Sequence, residues 1–265
     1  MNSLKLIKSK HFANGSVHAM KTHDNFTIEV TDTFLPLYTK YSTNSNSNQL
    51  LDSNFGDRSE RWMIGVSTMA GCPVKCKFCA TSSMPYRKLT AQEILDQVLF
   101  VTSQNKQEFQ NAKEHKINYT RMGEPFLNIN EVKNAISLVD SIFPNTHHYV
   151  STIGIQNSDF SWISNNISLQ ISLHSLNEQR RDALIPIKNK LSIEQLGQIR
   201  TKSFLKTTVN LTLVSLDDFD SKKLKSLFDP NHFFIKVSPI NPNPISIKNN
   251  LGNGIIQLRN NHEQQ

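Results

Sequence analysis

From Arg61 onward, short apolar runs of strand length alternate with amphipathic segments of helical period. That alternation restricts the chain to repeated strand-helix units around a parallel sheet. The predicted strands are Trp62–Ser67, Lys116–Tyr119, His148–Thr152, Ser168–Leu173, Thr208–Val214 and Phe233–Val237. Helices are predicted over Ala91–Ser103, Ile129–Ile142, Asp159–Ser164, Ile193–Leu205 and Ser221–Phe228. Thr90 and Glu93 form a capping box, and Asn128 and Ser192 stand at equivalent N-cap positions. Strands in this order fit an α/β fold, a curved, open partial (β/α)6 barrel; a closed eightfold barrel needs more chain.

Ahead of this run, Asn14-Gly15 is a hairpin-turn signal, and the alternation from Phe26 to Thr31 suits a half-buried strand. Ser42 to Asn54, rich in Ser and Asn, reads as a linker. The expected division is a small N-terminal β-containing extension over 1–58, the barrel over 59–245 and a polar tail over 246–265. In such sheets ligands gather at the carboxyl ends of the strands, and the residues of unusual chemistry fall there.

The sequence holds three cysteines, an odd number confined to Gly71-Cys72-Pro73-Val74-Lys75-Cys76-Lys77-Phe78-Cys79, after the first predicted strand of the alternating run. A disulfide framework is excluded in practice, and a metal or cluster site leads. Thiolates are soft ligands, and three on one short loop can wrap one face of an iron-sulfur centre. In a [4Fe-4S] cube, three thiolates leave one iron open, where the amino and carboxylate groups of S-adenosylmethionine (SAM) can bind. Structural zinc is the alternative; it ordinarily takes four protein ligands, and the next histidine, His115, stands beyond a predicted helix.

With 29 Lys and Arg against 22 Asp and Glu, the net charge is +7, a lean toward RNA, a nucleotide or a phosphorylated metabolite. A solvated basic surface is the plain alternative. No apolar run approaches the roughly 20 residues that span a bilayer, and the opening residues lack a signal-peptide core, so a cytoplasmic protein without membrane contact is expected.

The cysteine loop resembles that of the radical SAM superfamily, and further motifs follow in order. Tyr86 to Thr90 resembles the segment entering the next helix. Met122-Gly123-Glu124-Pro125 is similar to the turn whose Gly and Glu contact the SAM amino group. Val150 to Gly154 resembles the strand end whose serine, here Ser151, meets SAM. Ser172-Leu173-His174 resembles a further SAM-facing strand end, Ile185-Pro186-Ile187 the stretch after it, and Asn241-Pro242 a turn whose Asn meets the ribose. Within the superfamily the set, spanning roughly 61–244, resembles the adenine methyltransferases of ribosomal and transfer RNA. The resemblance implies a [4Fe-4S] cluster on Cys72, Cys76 and Cys79, SAM on Gly123, Glu124, Ser151, Ser172, Leu173, His174 and Asn241, and an external electron donor such as flavodoxin or ferredoxin. Taken singly, Glu124 and Asn241 also read as turn residues, and His174 as a core histidine.

The pattern fails at one point. Those methyltransferases pass a methyl group through two further cysteines; one would fall at Gly65 by ungapped count, the other beyond Arg259. Their base, a glutamate, has only Asp52 nearby. The expectation is therefore a deoxyadenosyl radical acting directly on an RNA or nucleotide-like substrate. The alternatives are RNA methylation by another route and a non-catalytic cluster or zinc protein. Arg87, Lys88, Arg121, Arg180 and Arg181, with Lys188 and Lys190, are the candidate substrate contacts, a solvated or ion-paired role being the other reading.

Overall fold

The computed structural model describes residues 3–35, 56–103 and 105–251. The expected linker at 42–54, Asp52 and the tail beyond 251 lie outside the described residues. The N-terminal strands are β1 (Leu4–Phe12), β2 (Gly15–Thr22) and β3 (Thr27–Phe34). Then come β4 (Arg61–Val66), the short pair β5 (Met69–Ala70) and β6 (Arg87–Lys88), β7 (Glu114–Tyr119), β8 (His147–Thr152), β9 (Ile167–Ser172), β10 (Thr207–Leu213) and β11 (Phe233–Pro239). The helices are α1 (Ala91–Thr102), α2 (Lys106–Asn111), α3 (Ile129–Ile142), α4 (Glu178–Leu184), α5 (Ile193–Gly197), α6 (Ser221–Leu227) and α7 (Pro244–Lys248).

Nine strands form one sheet in the order β1-β2-β3-β4-β7-β8-β9-β10-β11. From β4 to β11 neighbouring strands run parallel, whereas β1, β2 and β3 continue the sheet antiparallel beyond β4. The result is a mixed α/β fold with a large, mostly parallel sheet. The Asn14-Gly15 signal sits in the β1-β2 hairpin; at Gly15, φ is +144° and a Cβ would come 1.9 Å from the Asp32 carbonyl oxygen, so only glycine fits.

All six parallel strands lie within a residue or two of their predicted bounds. The helices depart more. Asp159–Ser164 is not helical: the Asp159 carboxylate accepts from Ser161 N–H at 2.8 Å, a local bond that competes with a helix, and Ile163 is buried from a turn. The helix predicted over Ile193–Leu205 stops as α5, where Gly197 packs so closely on the end of α6 that a Cβ would lie 2.3 Å from Leu227 O. Thr90 and Ser192 form their capping boxes. Asn128 does not cap; its side-chain amide donates to Thr68 O and Leu89 O, tying the start of α3 to the strand ends beside it.

Candidate functional site

The cysteine loop leaves β5 through Gly71, at φ +67°, where a Cβ would meet Pro85 O at 2.2 Å. Its backbone is held from two elements that sequence reasoning missed. Lys77 N–H donates to Leu184 O at the end of α4, at 2.9 Å. From the α7 side, Asn243 donates to Phe78 O at 2.9 Å and Asn249 to Lys77 O at 2.8 Å. The Asn243-Pro244 pair, an N-cap followed by Pro at the first helical position, was the available signal for α7.

Cys72, Cys76 and Cys79 line one cavity of about 200 Å³ at the carboxyl ends of the parallel strands, with Arg121, Gly123, Glu124, Ser151, Ser172 and His174. Gly123 brings its turn against the loop: its φ is +100° and a Cβ would sit 2.6 Å from the Met69 Cβ, while Thr68 and Met69 N–H donate to Met122 O. Glu124 is buried beside this turn and accepts from Thr152 Oγ1 at 2.6 Å, Ile153 N–H at 3.0 Å and Phe126 N–H at 3.1 Å. Burial outweighs these donors and pushes its carboxyl up to about 7, so a cation entering the cavity would complete its environment. Thr152, which orients it, was another residue the sequence did not single out.

Ser151 and Ser172 bond each other at 3.1 Å across β8 and β9, and Gln170 donates to Ser151 Oγ at 3.1 Å. His174, at φ +64°, accepts from Thr212 N–H through Nδ1, which leaves the proton on Nε2; its ring meets Phe78 edge-on at 4.7 Å. Burial, with Arg181 nearby, lowers its pKa to about 4, so it stays neutral.

Three thiols on one wall of the cavity form a soft donor set, of the kind that iron-sulfur centres and zinc take. Burial pushes the Cys72 thiol up to about 12 and moves Cys76 the same way, a cost that a bound cationic centre relieves.

The remaining candidates lie elsewhere. Leu173 is a fully buried core residue, and Asn241 is exposed, its carbonyl accepting from Asn243; neither lines the cavity. Arg87, expected on a phosphate approach, is spent between Glu93 and Asp24. Arg180 is paired with the buried Asp218 at 2.6 Å. Arg181 has no exposed surface and donates to Leu191 O and Ile153 O, both at 2.7 Å, because its helix turns it inward. Lys190 is paired with Asp182, while Lys88 and Lys188 are exposed. Of the cationic set, only Arg121 faces the cavity.

No family model matches the chain. Among curated proteins it is 34% identical to a probable dual-specificity RNA methyltransferase RlmN of Pseudothermotoga lettingae, over 66% of this chain and 54% of that protein. It is 31% identical to the protein so described from Thermosipho melanesiensis, over 67% of this chain and 55% of that one. The chain thus spans about half the length of these relatives. In fold it is similar to a radical SAM methyltransferase from Sphaerobacter thermophilus, with a TM-score of 0.71 at 21% identity, covering 99% of this chain and 73% of that one. With the curated likenesses resting on sequence and the solved structure on fold, the chain is a relative of the RlmN-type radical SAM RNA methyltransferases.

Proposed function

We propose that the chain is a radical SAM enzyme acting on RNA or a nucleotide-like substrate, with a [4Fe-4S] cluster on Cys72, Cys76 and Cys79. The parallel run is read as a partial (β/α)6 barrel over 59–245, carrying the extension 1–58 and the tail 246–265, and working in the cytoplasm with an external flavodoxin- or ferredoxin-like donor. The observation that carries the reading is the convergence of three thiols and a buried carboxylate on one cavity at the strand ends. When bound, the cluster and SAM supply a 5′-deoxyadenosyl radical. Glu124 receives the SAM ammonium, Ser151 and Ser172 offer hydroxyls to its polar groups, and the neutral His174 presents an N–H donor. Phe78 and the apolar side of the cavity exclude water.

The radical acts directly on the substrate in this reading, since position 65, where the relatives' release cysteine would stand, is glycine. A second reading, RNA methylation by another route, is favoured by the relatives' names. One anaerobic experiment separates them: reconstituted protein, reductant, SAM labelled in its methyl group, and deuterated RNA. Deuterium arriving in 5′-deoxyadenosine, without label in RNA, is expected; methyl label in RNA favours the second reading. Zinc without iron, or iron that leaves SAM whole, overturns both.

A further inference from the structure

Among the described residues lining the cysteine cavity, Arg121 is the one permanent cation and Glu124 the one carboxylate. Their settings differ. Glu124 is buried, whereas the Arg121 side chain is 37% exposed and pairs with Glu29 of β3, itself 36% exposed. Ion pairs whose carboxylate reaches water contribute little to stability, so this one can exchange for a better-shaped partner. In the Arg180–Asp218 pair the arginine is equally exposed, at 36%, but its carboxylate has no exposed surface and so cannot be released to water at little cost, and Arg181 is internal.

Two features aim Arg121. Its backbone N–H donates to Val66 O at the end of β4, and its stem crosses Gly65, where a Cβ would come 2.9 Å from Arg121 Cδ and 2.3 Å from Thr31 Oγ1. Glycine at 65 therefore leaves the space that the arginine stem takes. β3, from the N-terminal extension, completes the channel with Thr31 and holds the guanidinium through Glu29. A planar fork at a cavity mouth, held by an exchangeable carboxylate, matches one ligand chemistry: an oxyanion that accepts two parallel N–H bonds.

We propose that Arg121 is the oxyanion-binding element of this cavity, taking a phosphate or carboxylate of an entering ligand in exchange for Glu29. The proposal rests on the cavity's reading as a SAM and nucleotide site, and it turns a pair that looks structural into a specificity device. The two partners then have opposite effects: Arg121 binds the anion and Glu29 competes with it.

Calorimetry on the full chain tests this with two matched pairs of probes. Adenosine 5′-monophosphate against adenosine, on metal-free protein, reads a phosphate; SAM against decarboxylated SAM, on cluster-loaded protein, reads a carboxylate. Arg121→Met is expected to weaken the anionic member of one pair roughly tenfold, leaving its neutralised partner unchanged, with Arg121→Lys intermediate. Glu29→Gln is expected to tighten the same member. Loss in the first pair assigns the site to a nucleotide phosphate, and loss in the second to the cofactor carboxylate. The proposal is overturned if neither pair shows anion-dependent affinity, or if Glu29→Gln weakens binding as Arg121→Met does, the result a purely structural pair would give. Failure to assemble a cluster would end the radical reading yet leave the nucleotide arm intact.

Discussion

The two faces of the parallel strands, one residue apart along every strand, obey different rules. On one face Ile117, Val150, Ile171, Val209 and Leu211 have no exposed surface, and Leu169 has 2%; they belong to a single apolar core. On the other, Lys116, Asn118, Tyr149, Ser151, Gln170, Ser172, Asn210 and Thr212 are half-buried and polar. These side chains bond one another: Tyr149 to Gln170, Gln170 to Ser151, Ser151 to Ser172, and Ser238 to Asn210. The pleat thus separates stability from chemistry, since side chains at i and i+1 must point to opposite faces. The polar ladder leads to the cysteine cavity, where Ser151 and Ser172 are its last rungs.

Two adjacent alanine substitutions separate the faces. Ile171→Ala removes a fully buried side chain and is expected to cost about 2–5 kcal/mol of unfolding free energy. Gln170→Ala, next to it on the polar face, is expected to cost less than about 1 kcal/mol. Denaturant titration of both variants decides: equal losses would mean that the two faces share the stability of the fold.

Glu124 belongs to neither rule, being a charged group with the burial of the core, so its effect depends on pH. Its folded carboxyl titrates at about 7 against 4.5 in the open chain. A raised acid means that the folded state binds the proton more tightly. The contribution of this group is therefore most favourable below pH 4.5, declines as pH rises toward 7, and leaves a deficit of roughly 3 kcal/mol at neutral pH. The difference in unfolding free energy between wild-type and Glu124→Gln protein, metal-free and without SAM, should shift in favour of the Gln variant across that window. A flat difference would mean that the carboxyl keeps its ordinary pKa. Because a cation in the cavity favours the charged form, binding one near pH 6 should also release protons, read as a dependence of calorimetric heat on buffer ionisation.

How much of this was legible beforehand follows from the range of the signals. Strands and long helices were readable because their period repeats over several residues, as Ile129–Ile142 illustrates by matching its expected bounds. Short helices such as α4 and α7 offer barely two turns of pattern, and their starts are set by the Asn177 and Asn243 caps. The cysteine loop stood out by composition alone. The destinations of Arg87, Arg180 and Arg181 did not, because a basic residue reads the same whether it meets solvent or a carboxylate distant in sequence: Arg180 meets Asp218, and Arg87 meets Asp24. Arg121 illustrates the same limit in the opposite direction, since its path over Gly65 depends on two residues brought together only by strand pairing.

The smallest expected effect is also the most specific to the polar face. Ser151→Ala deletes the hydroxyl shared by Gln170 and Ser172, yet both neighbours keep access to water, so the stability loss should stay within about 1 kcal/mol. If that ladder exists to present hydroxyls to a ligand, SAM affinity of the cluster-loaded protein should fall by more than the fold does, roughly three- to tenfold for one hydrogen bond between neutral groups. Equilibrium binding and denaturant titration on the same variant give the ratio. A loss of stability without loss of affinity would make Ser151 a packing residue in spite of its place on the polar face.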